Sequence, residues 1–191
     1  VGVVGDASTT FDGIVLKECT LWRGVIGRCY NNEFHKKSPT YADCSVSEKF
    51  KYYPYFKEWC GNQIGFNAVD DKGRPFELDK DILIKGNKVY SENTCCFVPA
   101  EINGLFIKRD AARGDLPIGV LYHKRDRKYR AQVSRFKENI HLGYFSTPEE
   151  AFNAYKEAKE DYIKEVANKW KDQIDPRVYE KLINYKVLLT D

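Results

Sequence analysis

The sequence predicts an α+β fold, in which an N-terminal helical and ββα module is followed by a three-stranded antiparallel sheet packed on one helix. Three observations predict it. Two early stretches carry apolar residues at helical spacing. A strand, turn, strand and helix pattern follows. Three short alternating runs then precede one long amphipathic stretch with a good cap. The 191 residues suit two small modules. They are expected at 1–110 and 111–168, with a packing segment at 169–191.

In the first module, Leu21, Val25, Ile26 and Cys29 recur along one helix face within Leu21 to Tyr30. A polar loop is expected through Ser38-Pro39-Thr40. Phe50, Tyr53, Phe56 and Trp59 then recur every third residue, and Pro54, having no amide proton, must fall near a helix start or at a kink. These aromatics read as core rather than as a platform for bases. Phe76 to Leu83 reads as a strand, Gly86-Asn87 as a hairpin turn and Lys88-Val89-Tyr90 as the returning strand. Val98-Pro99-Ala100-Glu101-Ile102-Asn103 suits a helix start, with proline in the first turn and an acid at the positive end of the helix dipole.

Ala111 to Pro117, carrying Gly114 and Pro117, marks the boundary. Ile118 to Arg125, Lys128 to Phe136 and Asn139 to Phe145 alternate as an antiparallel sheet, with turns near Arg125-Asp126 and Lys137-Glu138. Thr147 is the expected cap of a helix that opens with Pro148, Glu149 and Glu150 and carries Ala151, Tyr155, Ala158, Tyr162 and Val166 on one face. Alternation sorts the sheet into two faces. Val120, Tyr122, Tyr129, Ala131, Val133, Ile140, Leu142 and Tyr144 form the face for the helix to cover. His123, Arg125, Arg130, Gln132, Ser134, Asn139 and His141 fall on the other. Tyr179, Leu182, Ile183 and Tyr185 suggest a last packing helix, and Val187-Leu188-Leu189 a closing strand.

Composition narrows the classes. With 42% hydrophobic and 31% charged residues the chain can build a core and is not disordered by composition. It has no apolar run long enough to span a membrane, and Val1 to Asp6 lacks the features of a secretory signal, so a cytoplasmic protein without a membrane partner is expected. Six cysteines without a C-x-x-C pair suggest reduced structural thiols rather than a zinc ribbon. The net charge of +3 is too small to signal a polyanion partner. Its distribution matters more: from Ala111 to Phe145 eight Lys or Arg stand against three Asp or Glu. Local positive charge, combined with Arg, Gln, Asn and His on one sheet face, suits phosphates and base edges.

Gly119-Val120, Lys128-Tyr129-Arg130-Ala131-Gln132-Val133, Ile140-His141-Leu142-Gly143-Tyr144-Phe145 and Pro148-Glu149-Glu150-Ala151-Phe152-Asn153-Ala154-Tyr155 together resemble the ethylene-response-factor (APETALA-type) DNA-binding domain, over residues 117–160. Members of that family present a three-stranded sheet, backed by one helix, to the major groove. The resemblance implies double-stranded DNA as partner and His123, Lys124, Arg125, Lys128, Arg130, Gln132, Ser134, Asn139 and His141 as contact residues. Plant members carry arginine and tryptophan where this chain has Leu121, His123, Gln132, Ser134, Asn139 and His141. Its target sequence should therefore differ, with affinity leaning on Lys124, Arg125, Lys128 and Arg130.

Leu78-Asp79-Lys80-Asp81-Ile82, the Gly86-Asn87 turn, Tyr90-Ser91-Glu92-Asn93 and Pro99-x-x-Ile102-Asn103 resemble the site of HNH (His-Me finger) nucleases. With Trp22 to Tyr30, Pro39-Thr40-Tyr41 and Trp59, the chain from about residue 20 resembles phage-type HNH homing endonucleases that carry an ethylene-response-factor-like domain. The resemblance implies a divalent metal, Mg or Mn, on Asp79 and Asn103, with Asn93 orienting the site. Lys80 falls where the water-activating histidine belongs. A lysine, with an ordinary pKa of about 10.4, is a poor base unless burial or a nearby cation lowers that value.

Two functions follow. The first is a metal-dependent HNH-like DNA endonuclease of a phage or mobile element, with Asp79, Lys80 and Asn93 as catalytic residues. The alternative is a catalytically inactive relative acting in the host bacterial cytoplasm as a DNA-binding regulator, or as an inhibitor with a host protein as partner. Asp79 and Asn103 also have a plain structural reading as hydrogen-bonding residues of a hairpin. RNA binding through the aromatic entry segment is a third and weaker possibility.

Overall fold

The computed structural model describes residues 1–106, 115–135 and 138–189. Its class is α+β, as expected. Ala111 to Gly114, in the expected boundary, and Lys137, in the second expected sheet turn, lie outside the described residues. Two compact units are present: Val1–Asn103 with Asp172–Val178, and Gly104–Lys171 with Tyr179–Asp191. Among the described residues no helix is long and apolar enough to cross a membrane.

In the first unit, the strands β1 (Thr10–Phe11) and β2 (Ile14–Val15) form a short hairpin before α1 (Lys17–Tyr30) and α2 (Asn32–Lys37). The buried face of α1 is made by Cys19, Trp22, Val25 and Cys29, flanked by half-buried Leu21 and Ile26. α2 occupies part of the expected polar loop and contains His35. It forms because the Asn31 side chain accepts the amides of Glu33 and Phe34, satisfying donors that a helix start otherwise leaves open. After β3 (Ser45–Val46), the aromatic stretch folds as two helices, α3 (Glu48–Lys51) and α4 (Tyr53–Gly61), because Tyr52 is extended and Pro54 sits in the first turn of α4. Phe50, Tyr53, Phe56 and Trp59 are all buried. Phe50 packs on Phe56 and Trp59, Tyr53 on Trp22, and Trp59 on Phe97. The Trp22 indole N–H donates to the Phe50 carbonyl at 2.8 Å. Rings of this size dominate a small core, and these offer no surface for stacking bases.

The ββα pattern keeps its order but changes its pairing. It consists of β4 (Glu77–Asp79), β5 (Val89–Tyr90), β6 (Cys96–Val98) and α5 (Ala100–Asn103). The strand expected to run to Leu83 stops at Asp79, whose Oδ1 accepts the amides of Asp81 and Ile82, each at 2.8 Å, and so turns the chain. β5 does not return along β4. It pairs in parallel with β3, while β4 pairs antiparallel with β6 and places Asp79 opposite Cys96. The segment around Gly86-Asn87 therefore closes a loop rather than a hairpin. The Asn87 side-chain N–H group donates to the carbonyls of Lys80 and Val89, both at 2.7 Å, and holds that loop together.

In the second unit, β7 (Val120–His123), β8 (Lys128–Arg135) and β9 (Glu138–Phe145) form the expected antiparallel sheet in that order. α6 (Pro148–Trp170) covers one face, opened by a capping box between Thr147 and Glu150. Val120, Ala131 and Val133 meet Ala151, Phe152, Tyr155 and Val187 in a common core. α7 (Pro176–Ile183) follows, its first three residues grouping with the first unit. Val187 enters no strand, contrary to expectation. It is buried in the core, and its amide donates to Glu160. Just before β7, Gly119 has φ +77°, and a Cβ there would lie 2.0 Å from the Tyr155 ring. The backbone packs directly on that ring, which only glycine permits.

The pairing of β8 with β9 is interrupted once. Ala131 faces Gly143 whereas Gln132 faces His141, so Leu142 is an extra residue in a β-bulge, and Gly143 takes φ +140°. Across the bulge Tyr144 lies opposite Arg130, on the outer face, and Phe145 lies opposite Tyr129 and packs against the core. The expectation that Tyr144 belongs to the covered face is corrected accordingly. Tyr122 sits on the covered side by register, yet is exposed and rests on Tyr129 at a centroid distance of 5.2 Å.

Candidate nucleic-acid interface

The register sets the outer face of the sheet in rows. Leu121, Arg130 and Tyr144 are aligned across the three strands. His123 and Lys128 lie to one side of that row. Gln132 with His141, and then Ser134 with Asn139, lie to the other. Directly paired residues share a face, so these side chains all point away from α6. Lys124 and Arg125 lie in the turn after β7 and are exposed.

Arg130 is preset. Its Nη2 donates to Gln132 Oε1 at 2.5 Å, which holds the planar fork along the sheet. Arg125 Nε donates to Asp126 Oδ1 at 2.9 Å. His123 Nδ1 lies 3.2 Å from Asp126 Oδ2 but is not aligned for a hydrogen bond. The rings of His123 and His141 meet Tyr144 at 5.3 and 4.9 Å. Uniform alternation hides Tyr144. The signal that could have found it is Gly143 inside a strand pattern, since an isolated strand glycine often marks a bulge.

The ββα segment distributes its candidate residues differently. Burial pushes the Asp79 carboxyl above its ordinary range, and the amide of Ile82 opposes this only in part. Burial alone would lower the Lys80 ammonium, but its 2.9 Å bond to Asp81 and the surrounding negative charge outweigh that, and its pKa is raised. Lys80 is therefore a firmly protonated cation. Its Nζ lies 5.8 Å from the centre of the Tyr90 ring, and the Arg28 guanidinium lies 5.5 Å from it. Arg28 Nε is buried with no hydrogen-bond partner among the described residues. Sequence reading missed that both cations lie near the Tyr90 ring, because Arg28 belongs to α1 and Lys80 follows β4. His35 Nε2 contacts the Arg28 carbonyl at 2.8 Å.

Asn103, at the end of α5, donates from Nδ2 to Glu77 Oε2 at 2.7 Å. Asn93 is exposed in the turn before β6, where its carbonyl accepts from Arg177. Magnesium and manganese favour oxygen donors, a type that Asp79 and Asn103 supply. Asp79 Oδ1 is committed to its turn, whereas the bond to Glu77 is made by the Asn103 amide nitrogen and does not use its amide oxygen. Among the described residues no three His, Cys, Asp or Glu side chains converge.

All six cysteines are free and buried. Burial pushes the Cys29 thiol up to about 11 and the Cys95 thiol up to about 12. Such thiols suit packing rather than nucleophilic attack. Compared with protein-family models, with curated proteins and with solved structures, the chain has no match.

Proposed function

We propose that this chain is a duplex-DNA-binding protein of phage or mobile-element type that engages DNA through the outer face of the β7-β8-β9 sheet. The observation that carries the reading is the strand register. It gathers His123, Lys128, Arg130, Gln132, Ser134, Asn139 and His141 on the face opposite α6, with Lys124 and Arg125 at its rim. The major groove, about 12 Å wide, admits a β-ribbon, and these side chains donate to phosphates and base edges.

For the ββα segment, a scaffold without catalytic chemistry is better supported than an Mg- or Mn-dependent endonuclease. Lys80 holds its proton where a general base must be unprotonated to accept one, and one oxygen of Asp79 is committed to the turn after β4. In this reading Lys80 and Arg28 contribute positive charge. The protein acts in the host bacterial cytoplasm by occupying DNA or a host enzyme.

The test is duplex binding by fluorescence anisotropy between about 50 and 200 mM salt, where phosphate contacts make affinity fall steeply. Replacing Lys128 and Arg130 together with alanine should reduce the log–log salt slope by about 1.8, at about 0.9 per phosphate contact. An unchanged slope would refute the assigned face. A plasmid-nicking assay with Mg, Mn or chelator, on wild type, Asp79→Ala and Lys80→His, decides the chemistry. No nicking by wild type is expected. Metal-dependent nicking that disappears in Asp79→Ala would instead establish the endonuclease.

A further inference from the structure

The bulge in β9 gives the sheet a feature that regular alternation would not, namely the exposed rings of Tyr144 and His141 beside half-buried His123 on the face away from its core. Tyr144 is 43% exposed and stands between His123 and His141, with interplanar angles of 63° and 60°. Arg130 and Leu121, the latter 37% exposed, complete its row. Neither Tyr144 nor His141 belongs to the sheet–helix core, so packing does not account for rings at these positions.

Exposed aromatic side chains on a sheet, next to a guanidinium, are the chemistry that holds unpaired bases. Every base offers a π-face to a ring, and arginine adds phosphate and cation–π contacts. In a duplex those π-faces are stacked against neighbouring base pairs and are out of reach. We infer that this face also binds single-stranded DNA, with an unpaired base stacked on Tyr144 beside His141 and the backbone held by Arg130 and Lys128. The inference rests on the sheet being a nucleic-acid interface and adds the strand state of a second ligand. In a protein that opens or holds DNA, one face would then serve both paired and unpaired segments.

The experiment compares a labelled single strand of about a dozen nucleotides, within the site sizes usual for such surfaces, with the duplex of the same sequence. It uses the full chain as wild type, Tyr144→Ala, Tyr144→Phe and Tyr144→Leu. Stacking on one ring predicts that Tyr144→Ala weakens single-strand binding about tenfold, leaves duplex binding nearly unchanged, and is rescued in Tyr144→Phe, which keeps the ring. A single-strand affinity unchanged in Tyr144→Ala would overturn the inference. So would equal losses on both ligands, or a loss in Tyr144→Phe as large as in Tyr144→Ala. Should Tyr144→Ala lower the melting temperature, Tyr144→Leu, which keeps an apolar side chain without the aromatic ring, carries the same comparison under the same criteria. Wild type that binds the single strand but not the duplex would sink the duplex reading alone. Duplex binding without any single-strand binding would sink this inference alone, and binding of neither would sink both.

Discussion

Gly119→Ala tests whether the second unit depends on backbone seated directly against an aromatic ring. Two penalties add. At φ +77° the residue is in the left-handed region, which costs an L-amino acid about 1–2 kcal/mol. The new methyl group would also lie 2.0, 2.3 and 2.6 Å from three atoms of the Tyr155 ring, whereas carbon atoms in contact stand about 3.5–4.0 Å apart. The ring must retreat by roughly 1.5 Å to restore that contact distance. It has little room to do so, because Tyr155 is 6% exposed and packed in the core that contains Val120, Ala131 and Phe152. Overpacking of this kind costs about 1–3 kcal/mol, so the total is about 2–5 kcal/mol. At about 4–8 °C per kcal/mol for a unit of this size, its unfolding transition should fall by about 10 °C or more. Thermal unfolding followed by circular dichroism measures it. In a Tyr155→Leu background the same substitution should cost only the backbone component, about 1–2 kcal/mol, because the opposing ring is gone. A fall of less than about 4 °C, or an equal loss in both backgrounds, would refute the argument.

Two further perturbations probe α6. Glu160 is buried and accepts the Val187 amide at 3.0 Å and the Lys186 ammonium at 3.2 Å. Glu160→Ala leaves the amide without its partner, at about 1–3 kcal/mol, and should speed hydrogen exchange at Val187, while Glu160→Gln restores most of the protection. Unaltered exchange in the alanine variant would show that the carboxylate does not hold the segment. For Lys159, burial lowers the pKa from 10.5 to about 8. The folded chain therefore binds fewer protons than the unfolded one between those values, and stability rises with pH across that window. Below pH 8 the penalty is fully present, worth up to about 3 kcal/mol. Lys159→Met should raise the melting temperature at pH 7 and raise it less at pH 10. An equal gain at both would disprove the charge-burial account.

The sheet and its helix were legible because their determinants are local. Alternation sorts Arg130, Gln132 and Ser134 from Tyr129, Ala131 and Val133, and Thr147-Pro148-Glu149-Glu150 writes a helix start into four consecutive residues. The pairing of β4 was not legible, because Gly86-Asn87 is a real turn signal whose outcome is decided by distant partners. Cys96, Phe97 and Val98 are wholly buried and offer β4 an apolar neighbour, whereas Val89-Tyr90 finds its partner in Ser45-Val46, more than forty residues earlier. Asp79 and Asn103 were singled out by position in a motif. What position could not reveal is the local bonding of each, Asp79 Oδ1 accepting the amides after it and the Asn103 side-chain N–H donating to Glu77. Lys80 shows the same limit, since its charge state follows from Asp81 and from burial rather than from residue type.

Parity connects the fold of β9 to its proposed work. In an unbroken strand, residues three apart face opposite sides, so His141 and Tyr144 would lie on different faces. The bulge lets the successive residues Leu142 and Gly143 both turn inward, the first adding an apolar side chain to the core and the second supplying the φ +140° that an ordinary side chain resists. Phe145 then returns to the core opposite Tyr129, while His141 and Tyr144 share the outer face at 4.9 Å. One extra residue thus satisfies two demands at once, a filled core beneath the strand and adjacent rings above it. A strand selected for stability alone needs only the first, and that difference is why the rings, rather than the basic residues around them, are the most informative part of this surface.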